Sequence, residues 1–140
     1  MDAASTYSLM PWLGQYGNKI AHTLEAPVSR SLPAMAATAI QRFAGHTAFT
    51  TVMPNGMYGS LTFAQVGALS DAFAVYLRQV LKLDAGDRVA VQMPNCLSYP
   101  VVLLGVLKAG CVAVNTNPLY TASEMAHQFK DSTTTLAPKW

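Results

Sequence analysis

The stretch Arg88–Tyr120, RVAVQMPNCLSYPVVLLGVLKAGCVAVNTNPLY, constrains the fold more than any other part of this chain. An alternating apolar run stops at Pro94. A helical segment with almost no polar face follows and ends at Gly110. A second apolar run, Cys111–Val114, opens into Asn115-Thr116-Asn117-Pro118. A strand, a buried helix and a second strand make a parallel crossover unit, and a parallel sheet needs both faces covered. The expected class is α/β: a partial layered domain with a parallel βαβ core, preceded by a helix and a β-hairpin.

Composition sharpens this. The chain is 51% apolar and only 11% charged, against about 25% charged in an average domain. At 140 residues it should carry more charge than average, because small domains have more surface per residue. Either apolar surface is covered by a partner, or the chain is a piece of a larger fold; both imply sticky faces. Net charge is +2 with nine scattered Lys and Arg, so no basic footprint for nucleic acid is present. The first residues show no secretory signal pattern. The longest apolar run, Val101–Leu107, is far short of the ~20 residues that span a bilayer. Two cysteines, Cys96 and Cys111, suit a reduced, cytoplasmic protein better than a disulfide scaffold.

Several elements can be read on either side of the crossover unit. Up to Pro33 periodicity is weak, and Gly14, Gly17 and Pro27 point to an extended, wrapped segment carrying Trp12, Leu13, Tyr16 and Ile20. Ser31 caps a helix to Phe43, closed by Gly45. Ala48–Val52 and Tyr58–Leu61 flank the turn Pro54-Asn55-Gly56 and read as a hairpin. Thr62 and Gln65 form a capping box for a helix to Leu81, whose stripe of Val66, Leu69, Phe73, Tyr76, Leu77, Val80 and Leu81 is expected in the core. Asn95 or Ser98 caps the helix after Pro94. Thr121 and Glu124 form a second capping box, for a helix to about Lys130 with Met125 and Phe129 inward. Thr133–Trp140 shows neither strand nor helix pattern, although an alternating α/β chain should continue with a strand.

Chemical motifs are few. Parallel sheets bind ligands beyond the carboxyl ends of their strands, which places Pro94–Ser98 and Asn115–Tyr120 at the positions of interest. Neither a G-x-G-x-x-G turn nor a phosphate loop ending in Gly-Lys-Ser/Thr is present. Asn115, Asn117 and Tyr120 are the substrate-binding candidates; the alternative is that the asparagines stabilise a turn before Pro118 and the tyrosine packs. His22, His46 and His127 lack partners at ligand spacing, so no metal site is expected. Cys96 and Cys111 read as packing residues. Asp84, Asp87, Glu124 and Asp131 read as caps or solvated charges. Local chemistry assigns no catalytic, cofactor-binding or metal residue.

The pieces nevertheless combine into a likeness. Leu61-Thr62-Phe63, Gly86–Val91, Met93-Pro94-Asn95, Tyr99-Pro100, Gly105–Gly110, Val114–Thr121 and His127–Ser132, with Pro11-Trp12-Leu13 upstream, resemble the N-terminal part of AMP-forming acyl-CoA ligases, closest to bacterial long-chain fatty-acid–CoA ligases. The resemblance implies a parent enzyme that activates a fatty acid with ATP and Mg2+ to an acyl-adenylate and passes the acyl group to coenzyme A. It places the phosphate loop, the adenine- and ribose-binding segments and the C-terminal lysine of such enzymes beyond residue 140. It therefore describes 1–140 as an incomplete N-terminal subdomain, inactive and cofactor-free by itself, with 133–140 as an atypical tail. A frameshift, a truncation or an artificial end would account for that tail. The remainder of the ligase is the expected partner, and peripheral membrane contact belongs to the whole enzyme. Two other readings stand beside this one: a non-enzymatic module that self-associates through apolar surface, and a small-ligand binder using the Asn115–Tyr120 loop.

Overall fold

The structure is a computed structural model and describes residues 10–17, 19–20 and 29–136. His22, Pro27 and residues 137–140 lie outside the described residues. The first element is a 3-10 turn, Pro11–Gln15, where an extended segment was expected; Pro11 fixes the backbone angle that starts such a turn. Helix α1 spans Leu32–Arg42, and Ser31 caps it by accepting a hydrogen bond from the Ala34 amide at 3.2 Å. Gly45 does not close it. Phe43 leaves the helix first, and its ring packs 5.8 Å from that of Phe63 and 6.0 Å from that of His46.

Strands β1, Thr47–Val52, and β2, Tyr58–Thr62, form the expected antiparallel hairpin. Register slips by one residue at Ala48, a bulge at the hairpin base. At the turn the Asn55 side chain accepts from the Met57 amide.

Helix α2, Phe63–Val75, starts at the Thr62–Gln65 capping box and continues into a π-helical turn, Tyr76–Val80. The sequence pattern does not announce that turn. Of the expected core stripe, Val66 and Leu77 are buried, but Leu69, Tyr76 and Val80 are 47%, 44% and 63% exposed. The stripe fails for a physical reason. The extra residue in the π turn rotates Tyr76 and Val80 away from the face that the first part of the helix sets; Leu69 precedes that turn, and the buried positions of α2 are Val66, Gly67 and Ser70.

Strand β3 is Arg88–Gln92, helix α3 Ser98–Lys108 and strand β4 Val112–Thr116. The two strands pair in parallel, Arg88 opposite Val112 and Gln92 opposite Thr116, which is the crossover the sequence demanded. Neither Asn95 nor Ser98 caps α3. Leu97 holds the cap position without a side-chain bond, and the Tyr99 amide closes on the Cys96 carbonyl at 3.1 Å. Gly110, at φ 77°, ends the helix in a conformation that disfavours other residues.

Helix α4, Ala122–Asp131, starts at its own capping box: Thr121 accepts from the Glu124 amide, and the Glu124 carboxylate accepts from the Thr121 amide at 2.7 Å. Bonds from the Thr121 hydroxyl and amide hold the Glu124 carboxyl below its ordinary 4.5. A folded-state pKa below the unfolded one means stabilisation that is full above the ordinary value and lost as pH falls through the folded value. The helicity difference between wild type and Glu124→Gln, followed by far-UV circular dichroism, should be present at neutral pH and vanish in acid. A difference independent of pH would contradict the capping role.

Along β3, Val89 and Val91 point into a core with Leu77, Leu83, Val106, Ala109 and Cys111. Gln92, on the opposite face, meets Met125 of α4 at 3.3 Å. Helices α3 and α4 therefore cover opposite faces of one sheet. The C-terminal segment, featureless in sequence, also reaches this sheet. Leu136 bridges Val89 in parallel, with the Leu136 amide on the Arg88 carbonyl and the Ala90 amide on the Leu136 carbonyl at 3.0 and 2.8 Å. The Thr135 hydroxyl donates to Asp87 at 3.3 Å. A short third partner thus lies on the free side of β3, where the alternating pattern required one.

The α2–α3 seam is polar at its centre. Ser70 is fully buried, and its hydroxyl donates to the Val66 carbonyl at 2.6 Å. Lys108 Nζ donates to Ser70 Oγ, the Gly67 carbonyl and the Asp71 carboxylate at 2.8, 3.3 and 2.7 Å. Asp71 is 69% exposed, so the ion pair itself contributes little; the bonds to Ser70 and Gly67 matter more. Lys108→Met should lower unfolding free energy by about 1–2 kcal/mol, and Asp71→Asn by under about 0.5, both read by urea titration. Equal losses would place the stabilisation in the ion pair.

Among the described residues eight apolar side chains are buried and nineteen large ones are exposed, Leu119 at 88% and Tyr58 at 78%. The surplus of apolar surface inferred from composition is present on the molecule.

Candidate functional site

The β3 and β4 exits lie side by side because the strands pair in register. The chain leaves β3 for α3 on one face and β4 for α4 on the other. Such divergence opens a crevice beyond the carboxyl ends of the strands, where open α/β sheets take their ligands. Here it is a cleft of about 310 Å³ with Val91, Met93 and Pro118 as apolar wall and Asn95, Tyr99, Asn115, Thr116 and Asn117 as polar lining.

The loop after β4 is held from several sides. Tyr99 Oη donates to Asn115 Oδ1 at 3.1 Å. Gln128 of α4 donates to the Asn115 carbonyl at 2.9 Å, and Gln92 to the Asn117 carbonyl at 3.4 Å. Asn117 Oδ1 accepts from the Leu119 amide at 3.0 Å, and the Asn117 carbonyl from the Tyr120 amide at 3.1 Å. Asn117 thus acts as a turn former while its side chain still borders the crevice. Buried Oε1 atoms of Gln92 and Gln128 find no donor in the protein.

Of the three residues singled out from sequence, Asn115 and Asn117 share this crevice. Tyr120 lies outside it and borders a separate cleft of about 440 Å³ with Ser123, Glu124, His127, Gln128 and Asp131. Tyr99, Gln92 and Gln128 complete the arrangement and were not candidates. Gln92 carries the one signal available beforehand: a polar residue that follows the buried Val89 and Val91 at the strand's end.

The lining is neutral throughout. No carboxylate is placed to ligate Mg2+, and no cation to offset phosphate charge. These residues do not fit ATP with Mg2+, nor the phosphates of coenzyme A, and no step of an adenylation is routed through them. They fit a neutral group that donates and accepts hydrogen bonds.

Both cysteines are free thiols. Burial, with the nearby Asp87 adding to it and Arg78 opposing, pushes the Cys111 thiol up, which makes it a poor nucleophile. Among the described residues no three His, Cys, Asp or Glu side chains come together to hold a metal ion.

The family model described as AMP-binding enzyme matches residues 36–137. The chain belongs to that family of AMP-binding enzymes. Within it, the long-chain-fatty-acid–CoA ligase of Escherichia coli O6:H1 is 42% identical over 121 residues, which are 86% of this chain and 21% of the ligase. The likeness is to the N-terminal part of these ligases, as the sequence motifs implied, and the chain spans about a fifth of the curated relatives' length. The fatty acid AMP ligase from Legionella pneumophila superposes with a TM-score of 0.69 at 22% identity, covering 76% of this chain and 19% of that one. The Klebsiella oxytoca NpsA N-terminal subdomain does so with a TM-score of 0.64 at 20% identity, covering 74% and 26%. The match of the family model to residue 137 takes in the strand stub at Leu136.

Proposed function

We propose that this chain is part of a long-chain fatty-acid–CoA ligase, a cytoplasmic enzyme that forms an acyl-adenylate from a fatty acid and ATP and then a thioester with coenzyme A. The observation that carries this is the 42% identity with the E. coli ligase over most of the chain, in the fold the relatives use. The chain contributes a parallel sheet, its two covering helices and a neutral crevice in which Asn115 and Asn117 hold the loop after β4. Adenylation builds negative charge on a five-coordinate phosphorus and needs cations, oriented amides or a metal there. The crevice brings none of these, so the chain by itself does not adenylate; the catalytic groups come from the rest of the ligase, its first partner.

Fatty-acid-dependent exchange of pyrophosphate into ATP tests the point on the purified chain. Background exchange is expected, and turnover above background would overturn the claim of inactivity. A second reading, a non-enzymatic interaction module, is favoured by the nineteen exposed apolar side chains.

A further inference from the structure

The bonds inside the crevice decide what its polar groups have left to offer. Asn115 Oδ1 is taken by the Tyr99 hydroxyl, and Asn117 Oδ1 by the Leu119 amide. Turning the Asn117 amide over would set its Nδ2 donor against the Leu119 N–H. Neither Nδ2 group bonds to another of the described residues. Thr116, between the two asparagines, is 4% exposed, and its hydroxyl donates to the Val114 carbonyl at 3.3 Å. A hydroxyl that donates keeps its lone pairs to accept with. The crevice therefore presents two amide donors and one nearly buried acceptor, without charge.

That set is the complement of a secondary amide, whose carbonyl accepts and whose N–H donates. A carboxylate would bring a charge that no cation meets and no donor for Thr116. An alkyl chain would leave the asparagine amides without partners. A purine gains from an aromatic face to stack on, and the Tyr99 ring packs against the core. The place itself argues for a ligand over packed polypeptide, because it lies beyond the carboxyl ends of two parallel strands whose chains leave for opposite faces.

We propose that Asn115, Thr116 and Asn117 bind a secondary amide of a small-molecule substrate. Resting on the ligase reading, that substrate is coenzyme A, held by its amide-bearing pantetheine arm. Of fatty acid, ATP and coenzyme A, only the last carries secondary amides, and they lie on its neutral part. A crevice of about 310 Å³ is at the small end of ligand pockets, which suits an arm better than a whole nucleotide.

The test is nuclear magnetic resonance on the isotope-labelled chain, where the side-chain amides of Asn115 and Asn117 give signals of their own. Titration with pantetheine should move both signals in a saturable way. Asn115→Asp and Asn117→Asp remove the Nδ2 donors and keep the Oδ1 acceptors for Tyr99 and Leu119. Each should weaken binding about tenfold, the scale of one lost hydrogen bond, with the backbone spectrum otherwise unchanged. Asn55→Asp, in the hairpin turn, should bind as wild type does. Adenosine and the blocked dipeptide N-acetylalanine methylamide are the comparison ligands, the second standing for a stretch of polypeptide.

Four results would overturn the proposal: no saturable shift with pantetheine; affinity unmoved by either crevice substitution; adenosine bound as tightly; or the dipeptide bound as tightly, which would give the crevice to the rest of the ligase chain. Acyl-CoA formation by a whole ligase carrying this chain is a separate readout. Pantetheine binding without that activity would overturn the ligase reading and with it coenzyme A as the ligand. Activity without pantetheine binding would overturn this inference alone.

Discussion

Leu77→Ala is expected to remove about 2–5 kcal/mol of unfolding free energy, the cost of emptying a large buried position. Leu77 is fully buried within the π turn and packs with Leu83, Val89, Val91, Val106, Ala109 and Cys111. Its carbonyl also accepts from the Leu83 amide at 3.1 Å, which turns the chain towards β3. Small domains have about 5–15 kcal/mol in total, and this one buries few apolar side chains, so the variant should be largely unfolded at room temperature. Urea titration followed by circular dichroism measures the loss. A loss under about 0.5 kcal/mol, the scale of a surface substitution, would show that the helix–sheet core around Leu77 is not what holds the chain together.

Gly105→Val should be nearly as damaging, by the opposite means. Gly105 is where α3 meets α2 most closely. A Cβ there would lie 2.8 Å from Phe73 Cδ1, 3.0 Å from Phe73 Cβ and 3.0 Å from the Ser70 carbonyl oxygen. The last is backbone and cannot swing aside. Overpacking of this kind costs about 1–3 kcal/mol, and separation of the helices would also pull Lys108 away from Ser70 and Gly67. Gly105→Ala should fall between wild type and valine. Thermal unfolding of the three proteins orders them, and an alanine variant as stable as wild type would mean the helices are not in contact there.

The sequence shows the fold where one local rule governs it. Both capping boxes, the hairpin turn and the strand–helix–strand crossover each arise from a few neighbouring residues. Three features were not legible. The π turn at Tyr76–Val80 has no residue signature, and it exposes Tyr76 and Val80, which helical spacing assigns to the core. The buried line of Gly67, Ser70 and Gly105 is made of small residues that no hydropathy pattern marks as contact. The pairing of Leu136 with Val89 links residues far apart in the chain and depends on a sheet edge that only the fold creates.

The crevice proposed as the site was legible to a similar depth as a place in the fold. Parallel-sheet logic pointed to both strand exits, and Asn115 and Asn117 do meet at one crevice. Tyr120 lies just after them in sequence, but the turn that Asn117 builds carries it to a different cleft. Gln92 and Gln128 act on the loop through backbone carbonyls, contacts that depend on α4 covering the face opposite α3.

The most direct test of the ligase reading is a graft. Residues 36–137 of this chain would replace the matching segment of the E. coli long-chain-fatty-acid–CoA ligase, and acyl-CoA formation from a long-chain fatty acid would be measured. A folded chimera that makes acyl-CoA is expected, while the 140-residue chain alone makes none. A chimera that folds and binds ATP yet makes no acyl-CoA, or a lone chain that does make it, would contradict that reading.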